Sequence, residues 1–183
     1  MKIAAHQGLS YKMIELKAHV DDLEVLRKKL TRLGAEYIGI FHQKDHYFEV
    51  PEGRLKLREI KENDNLELIY YEREDIAGPK KDDAFILKIQ EAEDFKKILE
   101  KILTPLIIVK KVREIYCLQE TQIHLDVVEN LGKFIEFERQ SSKSSDSFEK
   151  DKRILEKLML SLDIYAENLQ ELSYSELILL NRK

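Results

Sequence analysis

Apolar positions along the chain change their spacing several times, and each change marks an element. Leu23, Leu26, Leu30 and Leu33 recur every three or four residues, the stripe of an amphipathic helix. Asp21 and Glu24 make a capping-box pair at its start, and Gly34 follows as a stop. A second helix is expected over 91–103, with Phe95, Ile98, Leu99, Ile102 and Leu103 on one side and Pro105 ending the run. A third starts near Asp146, where Glu149 completes another capping box, and buries Ile154, Leu155, Leu158 and Leu162. A short fourth is expected over 173–180.

Between the helices the period drops to two, as strands require. Alternation runs over 11–20, 37–50, 54–59, 66–73, 84–90, 106–118, 121–128 and 133–139. Pro51-Glu52-Gly53, Glu62-Asn63-Asp64-Asn65, Gly78-Pro79 and Asn130-Leu131-Gly132 supply the turns. Long strands joined mainly by tight turns pair antiparallel. About eight of them leave edges that closure removes. The expected class is α+β: a closed antiparallel eight-stranded β-barrel with helices packed on the outside. Residues 1–10 read as a short leader and 11–183 as a single domain.

The polar face of these strands carries a narrow choice of residues, mostly charged. Met13, Glu15 and Lys17 share one face of the first strand, with Ile14, Leu16 and Ala18 on the other. Arg54, Lys56 and Arg58 alternate with Leu55 and Leu57. Further along come Tyr71 with Arg73, then Lys88, Lys111 with Arg113, His124 with Asp126, and Glu136 with Glu138. Two placements are open. The charges can face water around an aliphatic interior, or they can face the bore while the aliphatics meet the helices. Three helices with apolar stripes need an apolar surface to cover, which favours the second placement.

Charged residues inside a bore demand a ligand, because an unpaired buried ion costs several kcal/mol. The Lys and Arg side chains exceed what Glu15, Asp126, Glu136 and Glu138 neutralise, so the bore should take up anions. Polyphosphate suits both guanidinium forks and ammonium groups. Carboxylates gathered beside phosphate suit Mg²⁺ or Mn²⁺, which take oxygen ligands and bridge to phosphate.

Composition narrows the rest. The 183 residues are 36% charged, above the usual quarter, yet the net charge is only −4. That balance gives no reason to expect a nucleic-acid partner or a membrane surface. A lone cysteine, Cys117, excludes an internal disulfide and suits a reducing compartment. No apolar run reaches the roughly 18 residues of a membrane span. The first ten residues lack a secretory h-region, so a cytoplasmic protein is expected. His6, His19, His42, His46 and His124 show no metal-ligand spacing and read as structural or surface residues.

Singly, Glu15-x-Lys17, Lys111-x-Arg113 and Glu136-x-Glu138 are weak signals, and Glu59-x-Lys61 repeats the first spacing in what reads as a solvated turn. Their order along successive hairpins is more specific. Met-Ile-Glu-Leu-Lys at 13–17, Asp45-His-Tyr-Phe48, Gly53-Arg-Leu-Lys-Leu-Arg58, Tyr71-Glu-Arg73, Lys111-Val-Arg113, Ile123-His-Leu-Asp126, Gly132-Lys-Phe-Ile-Glu-Phe-Glu138 and Ser173-Tyr-Ser-Glu-Leu-Ile178 follow one another. In this the chain resembles the CYTH-domain proteins, or triphosphate tunnel metalloenzymes, which include class IV adenylyl cyclases and thiamine triphosphatases. The resemblance spans about residues 11 to 180 and looks most like the class IV cyclase branch.

The resemblance implies a metal-dependent enzyme acting on a triphosphate such as ATP, thiamine triphosphate or tripolyphosphate. The reaction would be cyclisation of ATP to cyclic AMP and pyrophosphate, or triphosphate hydrolysis. It implies Mg²⁺ or Mn²⁺ held by Glu15, Asp126, Glu136 and Glu138. The implied phosphate lining is Lys17, Arg54, Lys56, Arg58, Arg73, Lys88, Lys111 and Arg113. Glu15, Lys17, Glu136 and Glu138 would take part in catalysis. A homodimer is left open. The family signature in the first strand is Glu-x-Glu-x-Lys, and here its first glutamate is Met13. That departure leaves room for a weakened second metal site, a shifted specificity, or a protein that binds without turnover.

Overall fold

The computed structural model describes residues 10–62, 65–89, 92–140 and 145–182. Its strands are β1 (Ser10–His19), β2 (Glu36–Phe48), β3 (Arg54–Ile60), β4 (Asn65–Arg73), β5 (Lys80–Ile89), β6 (Pro105–Leu118), β7 (Thr121–Val128) and β8 (Gly132–Gln140). The helices are α1 (Leu23–Arg32), α2 (Ala92–Ile102), α3 (Ser145–Ser161) and α4 (Tyr174–Asn181). Every strand pairing is antiparallel, and the sheet closes in the order β1-β5-β4-β3-β2-β6-β7-β8. The expected leader lies outside the described residues up to position 9, and Ser10 already opens β1.

Aliphatic side chains face outward beneath the helices, and charges face the bore. Ile14, Leu16 and Ala18 are fully buried with Ile123, Leu125, Ile135 and Phe137 against Leu23, Leu26 and Leu30 of α1 and Leu155 and Met159 of α3. Each of these Leu, Ile, Phe and Met side chains contributes roughly 1.5–3 kcal/mol of burial. On the other flank, Leu99 of α2 packs on Phe48, Leu57 and Leu66. Tyr174 and Ile178 of α4 instead join Tyr47, Ile69, Tyr71, Val109 and Phe134, which lie on the inward side of the strands. This last helix therefore plugs one mouth of the barrel.

Local chemistry sets the ends of the elements. Asp22, not Asp21, caps α1: its Oδ1 accepts from the backbone N–H of Glu24 at 2.8 Å and of Val25 at 3.4 Å. The box with Glu24 is thus replaced by a cap one residue later. The second expected pair, Asp146 with Glu149, falls partly outside the described side chains. Ser173 and Glu176 cap α4 reciprocally, Glu176 N–H to Ser173 Oγ at 3.3 Å and Ser173 N–H to Glu176 Oε2 at 2.8 Å. Gly53 in the β2–β3 turn holds φ +66, and a Cβ there would meet the Tyr70 hydroxyl at 2.6 Å.

β5 begins at Lys80, ahead of the expected Ala84. Its opening Lys-Lys-Asp-Asp has polar residues on both faces, so no apolar alternation announces it. Lys80 and Asp82 point inward and are buried, while Lys81 and Asp83 point out.

Candidate functional site

Residues far apart in sequence meet in the bore because the pleat repeats every two positions and register aligns the inward rows. Glu15 lies opposite Glu138 and Lys17 opposite Glu136 across β1–β8. His124 faces Glu136 across β7–β8, Arg113 faces Asp126 across β6–β7, and Asp45 faces Arg58 across β2–β3.

One side of the bore is organised on a single carboxylate. Asp45, 1% exposed, receives a two-pronged hydrogen bond from Arg58 at 2.7 and 2.9 Å and another from Lys111 Nζ at 2.9 Å. Lys56 Nζ lies 3.3 Å away. Burial alone would push the Asp45 carboxyl up, but Arg58, Lys111 and Lys56 outweigh it and hold it well below the ordinary carboxylate range. Lys111 shows the converse. Burial pushes its amine down to about 7, opposed by Asp45 and assisted by Arg58 and Arg113.

The other side carries several carboxylates. Arg113 forks onto Asp126 at 2.8 and 2.6 Å and also bonds Glu136. The Tyr174 hydroxyl donates to the same Asp126 Oδ2 at 2.9 Å, so both oxygens of Asp126 are engaged. Lys17 lies 3.3 Å from Glu136. Burial opposes ionisation of Glu136, but Arg113 and then Lys17 keep its carboxyl well below the usual range. Glu138 is the open member: its side chain is 25% exposed, and Arg113 Nη1 is 4.0 Å away. Glu15 accepts from Arg73 at 2.9 Å.

Asp82 stands opposite both Met13 and Arg73 in register. Burial, reinforced by Glu15 and Glu138, pushes its carboxyl up to about 7, and its Oδ1 has no hydrogen-bond partner. The backbone of residues 170–172 closes over this corner. Lys80 donates to the carbonyls of Gln170 and Glu171 at 3.1 and 2.9 Å, Arg73 to that of Glu171 at 3.2 Å, and Lys17 to that of Leu172 at 3.4 Å. Burial and then Arg73 push the Lys80 amine down to about 8. Beside α4 a cavity of ≈ 720 Å³ opens, lined by Tyr47, Gly53, Arg54, Arg73, Asp75 and Glu176, within the range of small-ligand sites.

Lys17, Lys56, Arg58, Arg73, Lys111 and Arg113 thus gather in the bore with Glu15, Asp126, Glu136 and Glu138. Arg54 sits on the rim, bonded to Asp75 at 2.7 Å and Glu176 at 2.6 Å. Lys88 is exposed near the far end of β5, opposite Glu67, and stands outside the cluster. Sequence reading assigned no role to Asp45, Lys80, Asp82 or Tyr174. The expected cationic surplus is reduced accordingly, since Asp45 offsets one of the three cations beside it. Nor does Glu59 sit in a solvated turn: it lies on β3, bonded to His46 at 2.7 Å and Lys96 at 2.5 Å.

The donor set suits a divalent cation. One ligand atom each from His124, Glu136 and Glu138 lies within 4.8 Å of the others, and His124 Nδ1 is buried without a hydrogen-bond partner. Spacing along the chain gave no sign of this grouping, because in a barrel side chains converge across strands. An imidazole on the inward row beside Glu136-x-Glu138 was the available signal.

Comparison with known proteins agrees with this geometry. A protein of Methanocaldococcus jannaschii named as a putative adenylate cyclase is 31% identical over 182 residues, covering 90% of this chain and 97% of that relative. A solved structure from Pyrococcus horikoshii is 27% identical with a TM-score of 0.81, covering 90% of this chain and 98% of that one. A Hippeastrum protein described as a putative adenylyl cyclase with a dominant triphosphatase activity shares the fold, with a TM-score of 0.63 and 14% identity over 94% of this chain and 95% of its own. Residues 12–169 match the CYTH domain, and the chain belongs to that family.

Proposed function

We propose that the chain is a metal-dependent enzyme of phosphorus–oxygen chemistry, acting on a triphosphate held in the bore. The favoured reaction is that of a class IV adenylyl cyclase, ATP to cyclic AMP and pyrophosphate. The observation that carries this reading is the meeting, in one bore, of a Lys/Arg set with an imidazole–carboxylate group that suits a cation. Mg²⁺ or Mn²⁺ held by Glu136 and Glu138, with Glu15 adjacent, would neutralise phosphate charge and acidify an attacking hydroxyl.

The protein groups do the rest by position and charge. Lys56, Arg58 and Lys111 exchange the Asp45 carboxylate for phosphate oxygens. Lys17, Arg73 and Lys80 exchange backbone carbonyls of residues 170–172 for the same. In cyclisation the ribose 3′-hydroxyl gives up its proton to solvent, its oxygen bonds to the α-phosphorus and the bond to the pyrophosphate oxygen breaks, with these cations holding the departing charge. Closure by α4 and residues 170–172 limits the access of competing water.

Triphosphate hydrolysis is the second reading, motivated by the Hippeastrum neighbour, whose described activity is dominantly that of a triphosphatase. The same cradle then presents the terminal phosphorus to water. Purified protein assayed with Mn²⁺ or Mg²⁺ against ATP, thiamine triphosphate and tripolyphosphate separates the two. Cyclic AMP from ATP supports cyclisation, and inorganic phosphate supports hydrolysis. No turnover, with a rise in melting temperature on adding ATP, would replace both with a binding protein. Met13 motivates that outcome.

A further inference from the structure

We propose that His124 is itself a metal ligand, making the cation site a mixed nitrogen–oxygen centre of His124 Nδ1, Glu136 and Glu138. The inference rests on the reading that the bore holds a divalent cation and adds which atoms hold it and which ions it prefers.

The imidazole is 97% buried, the side chain keeping only 3% of its exposure. Its two nitrogens have different surroundings. Nε2 lies 3.3 Å from Gln122 Oε1, an acceptor that draws the ring proton to that side. Nδ1 then carries the lone pair and has no hydrogen-bond partner. It points between two carboxylate oxygens, Glu138 Oε1 at 3.6 Å and Glu136 Oε2 at 3.8 Å. Those separations are too long for hydrogen bonds, so an imidazolium bridging the two acids gains little directional bonding. They match the separations of atoms that share one cation: ligands each about 2.1 Å from one ion sit roughly 3–4 Å apart. A metal-bound imidazole normally donates its other N–H to a carbonyl or carboxylate, which fixes the tautomer, and Gln122 is placed for that.

A buried polar atom without a partner is costly. A cation would satisfy Nδ1 and relieve the repulsion between Glu136 and Glu138 together. The nitrogen also sets preference. Mg²⁺ favours oxygen, whereas Mn²⁺, Co²⁺ and Zn²⁺ accept imidazole in that order of rising affinity. The site should therefore select these ions over Mg²⁺ more strongly than an all-carboxylate group would.

Mn²⁺ added to the wild-type protein, without nucleotide, tests this by pulsed electron paramagnetic resonance. The expected result is nitrogen-14 modulation from a directly bound nitrogen, absent in His124→Asn and retained in His19→Asn. Isothermal titration should show His124→Asn losing about tenfold or more in Co²⁺ affinity and less than about threefold in Mg²⁺ affinity. Mn²⁺ bound with no nitrogen coupling in the wild type overturns the His124 assignment while leaving a carboxylate metal site standing. No Mn²⁺ binding at all removes that underlying reading, and this one with it. The wild-type spectrum decides the matter even where the variant folds poorly.

Discussion

The two sides of the bore hold similar charges in opposite arrangements. On the β2–β3–β6 side one carboxylate, Asp45, serves Arg58, Lys111 and Lys56. On the β7–β8 side one guanidinium, Arg113, serves Asp126 and Glu136, with Glu138 at 4.0 Å. Each hub offsets one charge of its own side, leaving the first side cationic and the second anionic, and each can be displaced. An incoming phosphate replaces Asp45 on the first side, and an incoming cation relieves Arg113 on the second. Binding a metal–triphosphate is then an exchange of internal partners for external ones, which lets charged groups be buried before the ligand arrives.

A hub and one of the residues served by a hub should differ most when removed. Arg113→Met leaves Asp126 and Glu136 buried without their shared cation, with Tyr174 still bonded to Asp126 and Lys17 and His124 still near Glu136. The expected loss is about 3–5 kcal/mol in urea unfolding. Arg58→Met should cost only about 1–2 kcal/mol, because Asp45 keeps Lys111 and Lys56. Saturating Mn²⁺ should recover part of the Arg113→Met loss and none of the Arg58→Met loss. Equal losses would show that the two sides are not organised on hubs.

Removing the other hub separates stability from binding. Asp45→Asn strips three cations of their counter-ion, at an expected cost of about 2–3 kcal/mol. It also removes the internal competitor for phosphate, so tripolyphosphate should bind about tenfold tighter by titration calorimetry. Weaker binding would mean that Asp45 chiefly positions the cations.

How far these hubs were legible follows from their chemistry. Period-two alternation exposed the inward faces of β1, β3, β6 and β8, because each sets charge against aliphatics. Leu55 and Leu57 between Arg54, Lys56 and Arg58 are the plainest case. It failed on β5, where Lys80 and Asp82 are flanked by Lys81 and Asp83 and no face is apolar. Asp45 was visible in a motif but silent in role, since its partners come from two other strands. The pairing of Tyr174 with Asp126 needs a helix folding back across the mouth, which no local pattern encodes. Lys88 shows the reverse error: parity places it inward, but the strand end leaves it exposed.

pH sharpens the phosphate side. The Lys111 amine titrates near 7 in the folded protein and near 10.5 when unfolded. Between those values the unfolded chain binds more protons, so this group makes stability rise with pH there, and below about 7 its charged form is buried at full cost. Phosphate binds the charged form and raises its pKa. Tripolyphosphate affinity, taken relative to that of Lys111→Arg so that the ligand's own last ionisation cancels, should therefore fall severalfold from about pH 7.5 to about pH 9. Proton uptake on binding, read in buffers of different ionisation enthalpy, checks the sign. Lys111→Arg should flatten the dependence, because a guanidinium stays charged.

The smallest expected effect falls on the acidic side, at Met13. Its side chain lies between Asp82 and Gln140 in register and is partly buried against the cluster that includes Tyr71 and Tyr174. Met13→Glu adds a carboxylate beside Asp82, whose own carboxyl burial, Glu15 and Glu138 already push up to about 7. Without metal the variant should be less stable by about 1–2 kcal/mol, since a further acid is desolvated among acids. With Mn²⁺ the cost should shrink, so the metal-induced rise in melting temperature should exceed that of the wild type. Turnover, where present, should depend more steeply on metal. An identical metal response in the two proteins would place position 13 beyond reach of the ion, leaving the cation to the β7–β8 carboxylates and Glu15.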